Sequence, residues 1–196
     1  MSRSRVYILT ALAFAVVAIG CSSSGGSSSG GASTTTTTDA SPAGDIPDTQ
    51  AFVAFTAPSG AYTIKVPEGW AQSTAGSKAT FTDHFNTVSI DATTSATAPT
   101  PATVRAVDVP LLQQSSSGFN LGGVDTVART AGPATVVTYR VNSAPDAVTG
   151  KRIALDAQQF RFWRTGELVT VTLSAPHGSD NVDAWKMMTN SFAWSQ

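Results

Sequence analysis

From Phe52 onward the chain alternates apolar and polar side chains in short runs, and twice the period lengthens to that of a helix. In "GAYTIKVPEGW" Tyr62, Ile64 and Val66 fall on one side and Thr63 and Lys65 on the other. Pro67-Glu68-Gly69 then breaks the run, and the turn carries Trp70. Successive side chains of a strand point to opposite faces, so this pattern predicts a half-buried strand. "ATFTD" and "NTVSIDATT" repeat it on either side of a tight connection near His84. "LGGVDTVART", "ATVVTYRVN", "RIALDAQQFRFWR" and "ELVTVTLSA" extend it, with Gly132-Pro133 and Thr165-Gly166 as turn signals. The last two runs flank "RTGE" closely enough to form an antiparallel hairpin.

The two interruptions are helical. In "TPATVRAVDVPLLQQ" Thr100 can cap, and Pro101 suits the first helical position, where its missing N–H is not needed. Val104, Val107 and Leu111 are expected to share one face, and Pro110 to kink or interrupt the helix. In "SDNVDAWKMMTNSFAW" Ser179 or Asp180 is the expected cap, and Val182, Trp185, Met188 and Phe192 form a stripe that should pack on the sheet. The economical architecture is α+β: a six- or seven-stranded, mainly antiparallel sheet packed with helices.

Before Phe52 the pattern is different. Arg3 and Arg5 precede an uncharged apolar stretch, Val6 to Ile19, that is too short for a comfortable membrane span and reads as an export signal over residues 1–20. Ala18-Ile19-Gly20-Cys21 resembles the bacterial lipobox, with Ala18 where leucine is usual. The resemblance implies that Cys21 becomes the first residue of the mature protein and carries a diacylglycerol thioether. Cys21 is the only cysteine, so no disulfide can form within the chain. Several acyl chains on one residue would hold the protein to the extracytoplasmic side of the cell membrane, where a single chain would bind only reversibly. Residues 21–51 are rich in Ser, Thr and Gly, carry almost no large apolar side chain, and are expected to be a disordered tether. Residues 52–196 then form one globular domain, expected to be a monomer.

Charge narrows the partners. The whole chain has 12 Lys and Arg against 13 Asp and Glu, with no clustered basic excess of the kind nucleic acid requires. Lys151, Arg152, Arg161 and Arg164 are the one basic concentration, read as a solvated sheet edge. Neither histidine, His84 nor His177, lies beside a Gly-x-Ser-x-Gly elbow or in a metal-ligand spacing. "LGGVD" lacks the spacing of a phosphate loop, and Asp180 with Asp183 suits a helix N-terminus. No catalytic, metal or cofactor site is therefore assigned, and the chain is not read as an enzyme.

The aromatic side chains remain. Most are expected in the core, but in "QFRFWR" Phe162 and Trp163 must point to opposite faces of one strand, as must Phe160 and Arg161. One face therefore presents aromatic or Arg side chains outside the core. Phe160, Arg161, Trp163 and Arg164 are the candidate binding residues, with the arginines available to sugar hydroxyls or an anionic head group.

"YTIKVPEGW", "FTDHFNTVSIDA", "GELVTVTLSAP" and "WKMMTNSFAW", in this order, resemble the PsbP-like fold and specifically the actinobacterial LpqN/LpqT-type lipoproteins, over about Phe55 to Trp194. The resemblance implies an α/β/α sandwich and a role in binding. Members of this fold sit on the lumenal side of photosystem II in plants, bind a small GTPase in eukaryotes, and in mycobacteria are associated with the envelope and its glycolipid traffic. The expectation is a lipid-anchored envelope protein that binds a glycolipid, or a membrane transport or assembly partner. An enzyme of unrecognised type and a purely structural lipoprotein are the alternatives, since fold alone does not give function.

Cys21→Ser removes the thiol on which lipid attachment depends. Metabolic labelling with an alkyne fatty acid should label the wild-type chain and not the variant, and undiminished label on the variant would overturn the lipoprotein reading.

Overall fold

The alternating runs form strands, and two physical constraints decide how they are layered: which partner each strand meets and where Pro110 falls. The computed structural model describes residues 44–196; the export signal, Cys21 and the tether up to residue 43 lie outside the described residues. The strands are β1 (Phe52–Thr56), β2 (Tyr62–Pro67), β3 (Ala71–Ala75), β4 (Lys78–Asp83), β5 (Asn86–Thr94), β6 (Asn120–Arg129), β7 (Gly132–Asn142), β8 (Ala154–Arg164), β9 (Glu167–Pro176) and β10 (Ala193–Trp194). Seven of them make the main sheet in the order β3-β4-β5-β9-β8-β7-β6, and β1-β2-β10 make a second, smaller sheet. All pairings are antiparallel. The α+β reading holds, with one addition: the opening "YTIKVP" run belongs to the small sheet.

The core lies between the two sheets. Val88 and Ile90 of β5, Val169, Val171 and Leu173 of β9, and Phe160 and Phe162 of β8 meet Tyr62, Ile64 and Val66 of β2. Helix α3 (Val182–Asn190) closes this layer with Trp185 and Met188, and Phe192 follows just past its end. Each such side chain contributes roughly 1.5–3 kcal/mol when fully buried. Phe162 and Phe192 stack with centroids 4.1 Å apart.

On the opposite face lies one bent helix in three parts: α1 (Pro101–Thr103), a π-helical segment (Val104–Asp108) and α2 (Val109–Ser115). Thr100 caps it and Pro101 opens it, as the sequence indicates. Of the expected apolar face only Val104 is buried. Val104 and Val109 pack on Val124, Val137, Tyr139 and Ala157, whereas Val107 and Leu111 are 60% and 58% exposed. Pro110 has no N–H to give the carbonyl four residues earlier, and its ring crowds that position. The preceding turn widens instead, and the Val109 N–H bonds to the Val104 carbonyl. A five-residue advance brings Val109 beneath Val104 and rotates Val107 and Leu111 outward.

α3 begins later than expected. Its N-cap is Asn181, not Ser179 or Asp180, and Val182 is 67% exposed and leaves the stripe. The Asn181 side chain does not cap the helix. Its Oδ1 accepts from the Ile46 N–H at 2.6 Å, and its Nδ2 donates to the Gly44 carbonyl at 2.9 Å. The Asp180 N–H donates to Asp45 Oδ1 at 2.9 Å. Gly44, Asp45 and Ile46, ahead of residue 52, are therefore docked on the globular body. A single isoleucine suffices because its backbone is paired and its side chain is buried in the main core. No described helix is long and apolar enough to cross a membrane.

Removing residues 22–43 should leave the melting temperature unchanged. Extending the deletion through Gln50 should lower it by about 5 °C, because the loss of Ile46 burial, ~2 kcal/mol, translates at about 2–4 °C per kcal/mol for a domain of this size. Differential scanning calorimetry of the two deletions distinguishes a docked segment from a passive one.

Candidate functional site

The main sheet has one face in the core and one facing the bent helix, and the helix covers only β6, β7 and β8. The uncovered part of that face is polar because the alternation in β5 and β9 sends Ser89, Asp91, Thr93, Thr170 and Thr172 there. The register aligns them in rows across three strands. Ser89, Thr172 and Gln159 form one row, Asp91, Thr170 and Arg161 the next, and Thr93, Leu168 and Trp163 the third. Leu111, Leu112, Gln114 and Ser115 of α2 rise beside these rows and make a wall. The result is a groove of about 650 Å³ with a hydroxyl-rich floor and a partly apolar rim.

Arg161 is its most unusual component. The residue is only 5% exposed, and its Nη2 pairs with Asp108 Oδ1 at 3.2 Å. Asp108 ends the π segment, so the widened turn also supplies the arginine's partner. Burial pulls the guanidinium pKa down, and the carboxylate of Asp108 opposes this. Nη1 has no hydrogen-bond partner among the described residues, and neither has Gln159 Oε1. Gln159 Nε2 is held by Thr172 Oγ1 at 3.0 Å, which leaves its carbonyl oxygen fixed, buried and without a partner. A buried donor and a buried acceptor without partners each cost about 1–3 kcal/mol. A hydroxyl group, which both donates and accepts, can satisfy either. The charges around the groove balance: Lys78 and Arg161 against Asp91 and Asp108.

The candidate binding residues from the sequence separate. Arg161 and Trp163 share the helix-side face. Phe160 is core, stacked on Phe162 and covered by the Arg129 guanidinium at 4.9 Å, so it is not a contact residue. Arg164 lies on the core side, donating to the Ser195 carbonyl at 2.7 Å, pairing with Glu167 at 3.2 Å and stacking over Trp194 at 4.8 Å. It pins the C-terminal strand and does not border the groove. Arg161 is not part of a solvated basic edge, since it is buried. Trp163 is half-buried, with its indole N–H on the Ser95 carbonyl at 2.8 Å.

Sequence reasoning missed Asp108, Gln159 and the Ser/Thr rows. Their only trace is the regular polar side of "NTVSIDATT" and "ELVTVTLSA", which is indistinguishable from a solvent face until the helix is placed. The two histidines lie away from the groove: His84 on Asp83 at 2.9 Å, and His177 on Asp156 at 2.7 Å. Among the described residues no group of three or more His, Cys, Asp or Glu is placed to hold a metal ion.

No protein-family model matches this chain. No curated protein is similar to it at a significant level. Solved structures are. The cyanobacterial PsbP protein of Synechocystis is 16% identical, with 79% of this chain and 99% of that chain covered and a TM-score of 0.52. LpqN of Mycobacterium tuberculosis, a protein involved in cell envelope biogenesis, is 14% identical over 79% of this chain and 99% of its own, with a TM-score of 0.46. A Ran-binding protein of Saccharomyces cerevisiae is 11% identical over 74% and 95%, with a TM-score of 0.48. The fold is PsbP-like.

Trp185→Ala should cost about 3–5 kcal/mol, as expected for a large aromatic side chain removed from a core. Trp163→Ala, which loses one hydrogen bond and partial burial, should cost about 1–2 kcal/mol. Urea denaturation of both variants checks the contrast, and equal losses would make Trp163 a core residue.

Proposed function

We propose that this chain is an LpqN/LpqT-type lipoprotein, held at the extracytoplasmic face of the cell membrane by a lipid on Cys21, and that its groove binds the uncharged, hydroxyl-rich head of an envelope glycolipid. The observation that carries this reading is the pair of buried, unpartnered groups, Arg161 Nη1 and Gln159 Oε1, in a groove whose charges cancel. A net-basic groove would favour a phosphate or carboxylate, and a wholly apolar one a bare hydrocarbon. Interleaved donors and acceptors over rows of threonine and serine suit a polyol.

Binding in this reading uses fixed groups. Arg161 Nη1 donates to one ligand oxygen, with its direction set by Asp108, and a hydrogen bond to a charged group contributes about 1.5–3 kcal/mol. Gln159 Oε1 accepts from a neighbouring hydroxyl, with its amide fixed by Thr172. Leu111 and Leu112 cover the less polar side of the head group. The chain holds its ligand and does not transform it.

The test is native mass spectrometry of the unlipidated chain from Cys21 onward after contact with an envelope lipid extract. The wild type should retain a glycolipid mass. Leu111→Glu should reduce that retention at least tenfold with the melting temperature unchanged, because Leu111 is exposed. No retained lipid, or equal retention by the variant, would overturn the proposal.

A further inference from the structure

Three prolines meet beside the groove. Pro99 precedes the bent helix, Pro101 opens it, and Pro133 lies near the start of β7. With Ala131, Trp163 and Trp194 they border a hollow of about 220 Å³. A proline has no N–H, so three of its walls offer no backbone donor. Several polar atoms at its walls are already paired within the protein, and the Thr126 and Arg161 side chains also border it. Trp163 Nε1 donates to the Ser95 carbonyl at 2.8 Å, and Thr135 Oγ1 donates to the Pro99 carbonyl at 2.9 Å. The Thr100 carbonyl accepts from the Val104 N–H at 2.9 Å, and Thr100 Oγ1 accepts from the Thr103 N–H at 3.2 Å. The proline, alanine and indole part of the wall offers a ligand dispersion contact and removal from water. Arg161 borders both this hollow and the hydroxyl-lined groove, so the two are neighbours across one side chain.

We infer that the hollow lined by Pro99, Pro101, Ala131, Pro133, Trp163 and Trp194 is a separate subsite for one alkyl chain, entered from the groove past Arg161. The inference rests on the reading of the groove as the site for the polar head. Its volume, small beside that of the groove, admits a single chain segment. The contrast between the two regions sets the orientation of an amphiphile, with hydroxyls over Thr170 and Thr172 and hydrocarbon against the prolines.

Titration calorimetry with maltose and with hexyl, octyl and decyl maltoside below their micelle concentrations tests the subsite. Affinity should rise about tenfold for each pair of methylenes added, the increment expected when they are buried. Ala131→Phe fills the hollow and should flatten the series while leaving maltose binding in place. Should that variant fail to fold, the indole N–H signals of Trp163 and Trp194 in the wild type must shift with decyl maltoside and stay fixed with maltose. No chain-length dependence, a slope that survives Ala131→Phe, or unmoved indole signals would overturn the subsite. Decyl sulfobetaine binding as well as decyl maltoside, with both lost in Ala131→Phe, would support the hollow and overturn the sugar reading of the groove.

Discussion

The stack of Phe162 on Phe192, 4.1 Å between centroids and 15° between planes, ties the main sheet to the C-terminal segment and so fixes which face of β8 is inside. Side chains alternate along a strand, so a slip of one residue would bring Arg161 into the core and expel Phe160 and Phe162. With Phe160 and Phe162 committed to the core, Gln159, Arg161 and Trp163 have no choice of face. β9 repeats the constraint, because burying Val169, Val171 and Leu173 leaves Thr170 and Thr172 on the outer side. The groove floor is thus a consequence of core packing on the other side of the same strands.

The second determinant is Pro110. In an uninterrupted α-helix Val104, Val107 and Leu111 would share one face. The widened turn buries Val104 and Val109 instead and leaves Leu111 at the groove's edge. It also sets Asp108 against Arg161. A buried ion pair is not strong evidence of stabilisation, since the cost of desolvating both charges can exceed their attraction. Here the pair is lopsided as well: Arg161 is 5% exposed and the Asp108 side chain 37%. The arrangement is easier to understand as a way of holding one guanidinium nitrogen in a fixed direction than as a brace for the fold.

Most of the strands were legible because period-two alternation is a local property. The turns at His84 and at Thr165-Gly166 were legible for the same reason, since both positions adopt positive φ in two-residue hairpin turns. The division into two sheets was not, because alternation says that a strand has an inner face and nothing about which strand it meets. The helix phase was misread because the consequence of Pro110 is a change of period, from four residues to five, where the sequence suggested only a kink. Ile46 was hidden as a lone apolar residue in a polar tract, and its partner Asn181 looked like an ordinary helix-start residue. "QFRFWR" divided as expected into two faces, but which aromatic was core and which bordered a hollow depended on packing across the sheet.

Most of the groove floor agrees with the local preferences of the strands that build it. Threonine is β-branched and favours strands, so rows of threonine on β5 and β9 supply hydroxyls while agreeing with the local backbone. Serine and aspartate between them have the core side chains of the same strands to hold them in register. Arg161 is the exception to this agreement between local preference and global fold. A charged side chain removed from water with one nitrogen unpartnered is unfavourable at that position, and exceptions of this kind gather at functional sites. Gln159, two residues earlier on the same face, carries the complementary defect, an acceptor without a donor. Either alone would be a local imperfection. On one face of β8, held by Asp108 and Thr172 and lining a charge-balanced groove, they are the donor and the acceptor on which the proposed binding of adjacent hydroxyls rests.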